Sequence, residues 1–517
     1  MTIRRPTFVL LLVAGAASVL GVGAYLRTSQ ATLGLGFPLD DAWIHQTYAR
    51  NLAATGVWSF VPGRESGGST SPMWTALLAV GHRLGFDPRW WAYVLGAGGL
   101  AVTAATAGSW LTRRTGAGNP ARLAVALLVA LEWHLLWAAA SGMELILLLA
   151  LSVVIFRLSE DPIPNAVRLA LLVGIGVWIR PDAVTLAVVP ALAVLVAPGP
   201  SARRRLLALG WMVAAIAVPF ALYLAFNLST AGSLWPSTFY AKQAEYAVLR
   251  ERPLVDRFFS LAFDLRSGGP LVGPGLLLLP AAFVALAAAI RQRRWIGLAP
   301  AVWAVGYLAM FALRLPVTYQ HGRYQMPVLP VLLVFGAEGI LRVWEGRRGR
   351  LRLLAVAWAA ATGAVTASFV VLGARAYAQD VAVIESEMVE TARWIRTNTE
   401  PSARIAAHDI GALGYFGDRE VLDLAGLADA SVIPLLRDER RLAELLVARR
   451  ADYLMTFPGW YPRLAACGAP VYASRGTFSA AQGGEAMHVY RWPPAVDAPK
   501  GCMLYSPRPS GDDPQAP

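Results

Sequence analysis

Long stretches with almost no charge are the first constraint on this chain. Pro6 to Tyr25, Trp90 to Leu111, Leu206 to Phe226, Leu276 to Ile290 and Leu351 to Leu372 carry no charged side chain or nearly none. An apolar run of about 20 residues is what crosses a bilayer as a helix. The 517 residues are 56% hydrophobic and only 15% charged, whereas soluble domains carry about 25% charged residues. A soluble enzyme is excluded. Two cysteines and glycines without a fixed period also exclude a disulfide-dense scaffold and a collagen-like chain.

The formal charge of +13 raises a nucleic-acid reading, which the placement of the charges removes. The apolar runs predict eleven spans, near 7–26, 90–111, 121–138, 143–158, 166–179, 182–198, 206–226, 270–290, 295–313, 327–343 and 351–373. With the N-terminus in the cytoplasm, the short inner loops hold Arg4 and Arg5; Arg113, Arg114 and Arg122; Arg157 and Arg168; Arg203 to Arg205; Arg291, Arg293 and Arg294; and Arg342, Arg347, Arg348, Arg350 and Arg352. Outer segments are longer and their basic residues sparser. This bias is the positive-inside pattern, which predicts a cytoplasmic N-terminus and an extracytoplasmic C-terminus. The expected partner is a bilayer, with no nucleic acid. Pro72 to Leu84 is apolar but short for a crossing, so it is expected as a helix at the outer surface. No small-x-small site follows Tyr25, so the first span reads as a retained helix rather than a cleaved signal peptide.

The expected organisation is a polytopic domain over 1–373 with an outer loop at 27–89, a small extracytoplasmic α/β domain over 374–505 and a disordered tail over 506–517. In the α/β domain, helical periodicity at 381–397 and 438–450 alternates with strand patterns at 404–407, 421–424, 453–457 and 487–492. Cys467 and Cys502 both fall there, where an oxidising exterior permits a disulfide. Their spacing alone does not decide whether they are bridged.

The outer loop concentrates the chemistry. Pro38, Asp40 and Asp41 stand where a helix begins, and carboxylates there cap free N–H groups and favour the helix dipole. Capping accounts for one aspartate better than for two adjacent ones. On a helix starting at Asp41, residues 41, 45 and 48 share a face, grouping a carboxylate with His45 and Tyr48. The residues alone leave capping and a functional site both open.

After the first span come Asp40-Asp41, Tyr48-Ala-Arg50-Asn51-Leu52, Gly63-Arg64-Glu65 and Ser69-Thr70-Ser71-Pro72-Met73-Trp74. Further on stand Ser141-Gly142-Met143-Glu144, Trp178-Ile179-Arg180-Pro181-Asp182, Trp235-Pro236-Ser237-Thr238 with Lys242, and Arg323-Tyr324. The tail adds His408-Asp409-Ile410-Gly411 and Asp423-Leu424-Ala425-Gly426-Leu427. In this order they resemble bacterial polytopic glycosyltransferases of the GT-C class, arabinofuranosyltransferase-like membrane enzymes among them. The resemblance implies a GT-C-like membrane bundle, all-α, and an inverting transfer of a sugar from a polyprenyl-phosphate donor to an envelope glycan, lipid or protein acceptor. It implies Asp41 or Asp40 as the general base; the span assignment independently puts Arg180, Lys242 and Arg323 on the outer face as expected donor-phosphate ligands, and His45, Tyr48, Glu65, Glu144, Asp182 and His321 are the expected contacts to acceptor or sugar. No cofactor is implied with certainty; a divalent cation is compatible with it, and no metal ligand is assigned.

Proton and charge chemistry favour that assignment. Such a transfer needs a base for the acceptor hydroxyl and cations for a phosphate that gains charge as it leaves. Lys242 is one of two lysines in the chain. Glu132, His134 and Glu338 fall within expected spans, where ionisable groups are costly unless neutral or paired, and satisfied buried pairs are expected. Zinc-ligand spacing, a P-loop and a dinucleotide fingerprint are absent from the sequence. The rival reading is a transporter or flippase of lipid-linked glycans, which should show mid-membrane broken helices and inverted repeats.

Overall fold

The computed structural model describes residues 5–346, 349–493 and 502. Among them eight helices are long and apolar enough to cross a bilayer: Thr7–Thr32, Pro88–Thr115, Pro162–Ile179, Ala202–Ala231, Pro274–Arg291, Trp295–Arg314, Tyr319–Trp344 and Gly349–Asn398. The chain is a multi-pass membrane protein. The pair Asn119–Ala130 and Trp133–Ala140, bent by 55°, makes a ninth crossing if it is one broken span. The expected eleven exceed this because two apolar runs form shorter helices, Leu145–Leu158 and Pro181–Val196. At 1.5 Å per residue, 14 residues reach about 21 Å, less than a hydrocarbon core of about 30 Å.

The expected third span breaks at Glu132. Its carboxylate accepts the Leu135 N–H at 3.0 Å and so starts a new helix there. His134 bonds Glu132 at 2.7 Å and the Gly268 carbonyl at 2.8 Å. Glu338 is likewise matched, by Arg114 at 2.7 Å and Arg342 at 2.6 Å. These are the satisfied pairs that burial in an apolar bundle demands.

The last span does not stop at 373. Gly349–Val383 passes through a π-helical turn, Ile384–Val389, into Glu390–Asn398, one helical rod from the membrane bundle into the tail. The first loop contributes a small antiparallel hairpin, β1 (Ser59–Val61) and β2 (Arg64–Glu65). The tail contributes β3 (Arg404–Ala407), β4 (Glu420–Asp423), β5 (Tyr453–Thr456), β6 (Ala469–Ala473) and β7 (His488–Arg491). They form one sheet in the order β4-β3-β5-β7-β6, with β3 parallel to β4 and β5 and β7 antiparallel to β5 and β6. Sequence patterning misses β6, whose residues are mostly exposed and lack a buried alternating face. Leu442, Ala443 and Leu446 of helix Glu439–Ala448 pack on Ala406, Leu422 and Leu454 of the sheet. Cys467 and Cys502 are disulfide-bonded, with Cα atoms 5.1 Å apart. The expected disordered segment 506–517 lies outside the described residues.

First loop and tail lie on the same side of the bundle and grip each other. Helix Asp40–Thr55 packs along the short tail helix Gly411–Phe416. The Asp40 carboxylate accepts the N–H groups of Gly411 at 2.6 Å and Ala412 at 2.7 Å. Ten residues on, Arg50 donates to the carbonyls of Tyr415 at 2.8 Å and Gly414 at 3.0 Å. One helix thus caps both ends of another, with the charges that its free N–H and C=O groups prefer. The approach is close: a Cβ at Gly411 would lie 2.1 Å from the Asp40 carbonyl oxygen.

Candidate active site between the first loop and the bundle

A cavity of about 450 Å³ opens where the first loop, the bundle and helix Ser237–Glu245 meet. Asp41, His45, Glu144, Arg180, Asp182, Lys242, Arg323 and Tyr324 all line it. They arrive on separate pieces of chain, each placed for a local reason. Asp41 and His45 lie one helical turn apart on Asp40–Thr55. Arg180 ends its helix in an extended conformation, φ −154° and ψ 138°, as expected before Pro181. Ser237–Glu245 is tied to the first loop by Thr238 Oγ1 donating to the Gly68 carbonyl at 2.8 Å, which brings Lys242 over Asp41.

The cavity has two charged walls. On the first, Asp41 Oδ2 accepts from Arg323 Nη2 at 2.7 Å and Lys242 Nζ at 3.1 Å. The Tyr324 hydroxyl stands 3.0 Å from the same Arg323 nitrogen and 3.2 Å from Lys242. Burial alone would raise the Asp41 carboxyl, but the two cations outweigh it and hold Asp41 well below the usual carboxylate range. Asp41 holds Lys242 above its ordinary value in return, against burial. Arg323 is 6% exposed, and its Nε and Nη1 have no hydrogen-bond partner among the described residues. This wall is a cationic cradle with one carboxylate in it.

On the second wall Arg180 is already matched, by Glu144 at 2.8 Å and Asp182 at 3.0 Å. Asp182 also accepts from the Tyr307 hydroxyl at 2.5 Å. Among the described residues Glu144 Oε2 has no hydrogen-bond partner, and His45 Nε2 stands 3.6 Å away. His45 Nδ1 is held by Thr75 Oγ1 at 3.0 Å and Ser69 Oγ at 3.2 Å. Burial lowers the proton affinity of His45, against the pull of Glu144, so a neutral ring faces the cavity.

Four residues expected at the site lie elsewhere. Both oxygens of Asp40 are taken by the Gly411 and Ala412 N–H groups, which tie loop to tail, and burial with Asp409 nearby pushes its carboxyl up to about 8 against those bonds. Tyr48 is fully buried, with its hydroxyl 2.6 Å from Ser66 Oγ and accepting the Gly68 N–H at 2.8 Å; it shapes the loop behind the cavity. Glu65 is exposed on β2, away from the cavity. His321 bonds Asp380 at 2.8 Å outside the cavity wall. Tyr324 stands in the Arg323-Tyr324 motif without an expected role, and nothing in the sequence marks Tyr307.

The tail packs beside helix Ser237–Glu245, and none of its described residues lines the cavity. His408 Nδ1 meets the Tyr461 hydroxyl at 2.8 Å, and its Nε2 faces Glu245 Oε1 at 3.6 Å, three residues along the helix from Lys242. Burial would lower His408, but Glu245 and Asp409 outweigh it and raise it above its ordinary value. Burial, with Asp41 and Glu245 nearby, pushes the Asp409 carboxyl up to about 6 against the pull of His408. Asp423 accepts four backbone N–H groups, from Ala425, Gly426, Ala428 and Asp429, so that motif builds a loop. Among the described residues no group of three or more His, Cys, Asp or Glu side chains is arranged to hold a metal ion.

A family model described as a domain of unknown function, DUF8728, matches residues 375–490. No curated protein matches the chain. Among solved structures, the apo crystal structure of ArnT from Cupriavidus metallidurans is 15% identical over 93% of this chain and 99% of its own, with a TM-score of 0.58. The structure of that protein bound to undecaprenyl phosphate is 14% identical over 95% and 99%, with a TM-score of 0.56. The apo oligosaccharyltransferase of Archaeoglobus fulgidus is 13% identical over 90% and 73%, with a TM-score of 0.54. Both proteins are GT-C glycosyltransferases, and this chain has the GT-C fold.

Proposed function

We propose that this chain is a membrane glycosyltransferase that moves a sugar from a polyprenyl-phosphate donor to an acceptor hydroxyl on the outer face of the cytoplasmic membrane. The observation that carries the reading is the Asp41–Lys242–Arg323–Tyr324 cluster in the cavity wall, where two cations and a phenol share a single carboxylate. A fold shared with a protein seen bound to undecaprenyl phosphate supports the donor class. The arginine bias of the loops supports a cytoplasmic N-terminus and a tail on the outer side.

In this mechanism the donor phosphate enters the cradle and takes over Lys242, Arg323 and the Tyr324 hydroxyl as ligands, one cation a point charge and the other a fork. Asp41 loses its two counter-charges and its basicity rises. It then removes the acceptor hydroxyl proton as that oxygen bonds the anomeric carbon from the face opposite the phosphate. The carbon–oxygen bond to phosphate breaks, the electron pair leaves with the phosphate, and the configuration inverts. The cradle stabilises the charge that develops on the leaving group. Glu144, Asp182 and His45 face the remaining space and would bond sugar or acceptor hydroxyls.

A broken helix is the feature a transporter reading would cite. Here the break carries Glu132 and His134, matched to each other and to loop carbonyls, and neither lines the cavity. The deciding experiment is transfer of labelled sugar from a synthetic polyprenyl-phosphate donor to host envelope extract by the purified protein in lipid nanodiscs. Donor movement across the bilayer without any transferred sugar would overturn the proposal.

A further inference from the structure

A left-handed turn stands immediately before Arg323. Gln320, His321 and Gly322 all have positive φ, of 56°, 57° and 67°. Glycine adopts this freely, but two consecutive residues with side chains adopt it only where their surroundings hold them. Those surroundings are specific. His321 Nε2 bonds Asp380 Oδ2 at 2.8 Å, and Trp137 Nε1 donates to the same oxygen at 2.9 Å. The imidazole is held edge-on to Trp133 and Trp137, with ring centroids 5.2 and 5.6 Å away. It rests on Gly268, where a Cβ would lie 2.9 Å from His321 Nδ1.

The turn is also closed on its far side. Gln325 donates its backbone N–H to the Gly322 carbonyl at 2.8 Å and its side-chain amide to the Val317 carbonyl at 2.8 Å. Arg323 and Tyr324, the two cradle residues, lie between these anchors. Neither His321 nor Asp380 lines the cavity, and the proposed chemistry uses neither.

We propose that His321, clamped by Asp380 and Trp137, is a positioning residue that holds the left-handed turn and so aims the Arg323 guanidinium and Tyr324 hydroxyl at one point of the cradle. This rests on the reading of the cradle as the seat of a polyprenyl phosphate. Loss of the clamp lets the turn relax, and the guanidinium leaves its place over Asp41 without any change in the residues that touch the donor. Asp380 lies on the rod that continues into the tail, so the clamp also fixes the cradle against that rod.

The test uses the full chain in nanodiscs, with undecaprenyl phosphate as the binding probe and a polyprenyl-phosphate sugar for turnover. His321→Ala, His321→Gly and Asp380→Asn should each weaken binding of the probe by up to roughly 100-fold, the order of effect of a small misplacement of a binding group. KM for the donor should rise, which loss of folded protein alone would not produce, and kcat should fall as the leaving group loses part of its charge stabilisation. Glycine takes up the turn without strain, so His321→Gly folds and isolates the clamp from the backbone. Binding by His321→Gly equal to that of the natural protein would overturn the clamp. A natural protein that fails to bind the probe, with Arg323→Ala no different, would instead overturn the cradle and the clamp with it.

Discussion

Arg323 Nη2 meets Asp41 Oδ2 at 2.7 Å, across a separation of 282 residues in sequence. The pair joins the first loop to the start of a late span, and Lys242 completes it from a third segment. A carboxylate so placed is a poor base while the cradle is otherwise empty, because both cations favour its charged form. It becomes a useful one only when another anion takes the cations. In the proposed mechanism the same contact both guards the base and marks where the donor sits.

Asp41→Asn keeps the size of the side chain but removes the base. Transfer should fall by roughly 100- to 10,000-fold, the range for a lost general base. Donor binding should be retained or strengthened, because the cradle no longer holds a competing carboxylate. Transfer kinetics alongside polyprenyl-phosphate binding check both halves, and unchanged turnover would remove Asp41 from the mechanism.

Asp40 should respond in the opposite way. Asp40→Ala leaves the buried Gly411 and Ala412 N–H groups without an acceptor, at a cost of about 1–3 kcal/mol. Arg50→Ala frees the carbonyls at the other end of the same helix. Both variants should lower Tm and raise protease sensitivity of the tail while the folded fraction still transfers sugar. A double-mutant cycle should show the two coupled through helix Gly411–Phe416.

Docking of the tail beside helix Ser237–Glu245 should weaken as pH rises. His408 titrates higher in the folded protein than its ordinary value of about 6.5, so its contribution is fully present below that value and is lost as pH rises through the folded one. Asp409, pushed up to about 6, acts in the same direction because the folded state holds its proton more tightly. The protection of the His408–Gly411 amides, measured relative to their intrinsic exchange rates, should therefore fall as pH rises above about 6.5. Glu245→Gln should flatten that dependence, and a profile as steep as the natural one would count against the His408–Glu245 contact.

Much of this was legible in the sequence because burial in a bilayer leaves a strong mark. The apolar runs, the arginine loops and the α/β alternation of the tail each follow from a periodicity or a charge count. Lys242 and Arg323 were visible as cations in segments expected on the outer side, next to quoted motifs. What sequence could not separate was Asp40 from Asp41. Adjacent helix positions differ by about 100°, so one carboxylate points into the tail and its neighbour into the cavity. Glu65 and Tyr48 misled for a related reason: proximity along the loop says little once a hairpin turns β2 outward and Ser66 draws the phenol inward. The Glu132 break was hidden because the residues on both sides of it are apolar.

Reduction of the disulfide should loosen the tail without touching the cavity. The bridge closes 35 residues of chain, for which loop entropy gives about 3–4 kcal/mol. Cys502→Ser should lower the denaturation midpoint of the tail by a corresponding amount, measured by hydrogen exchange in denaturant. Undecaprenyl-phosphate binding should stay within about threefold of the natural protein, since Cys467 and Cys502 lie in the tail's own core rather than against the cavity.

Arg180 gives the sharpest separation between the two walls. Its guanidinium is already matched by Glu144 and Asp182, whereas Arg323 and Lys242 share a single carboxylate. A phosphate entering the cavity meets spare positive charge only on the second pair. Lys242→Ala and Arg323→Ala should each weaken binding of undecaprenyl phosphate by at least tenfold, while Arg180→Ala should change it by less than about threefold. The same Arg180→Ala leaves Glu144 and Asp182 buried without their counter-charge, so its damage should appear in stability and in KM for the complete sugar donor. Lys242→Arg should restore part of the binding lost in Lys242→Ala, because a phosphate accepts either a fork or a point charge. Equal losses of phosphate binding for all three alanine variants would instead make Arg180 a third ligand of the phosphate and merge the two walls into one site.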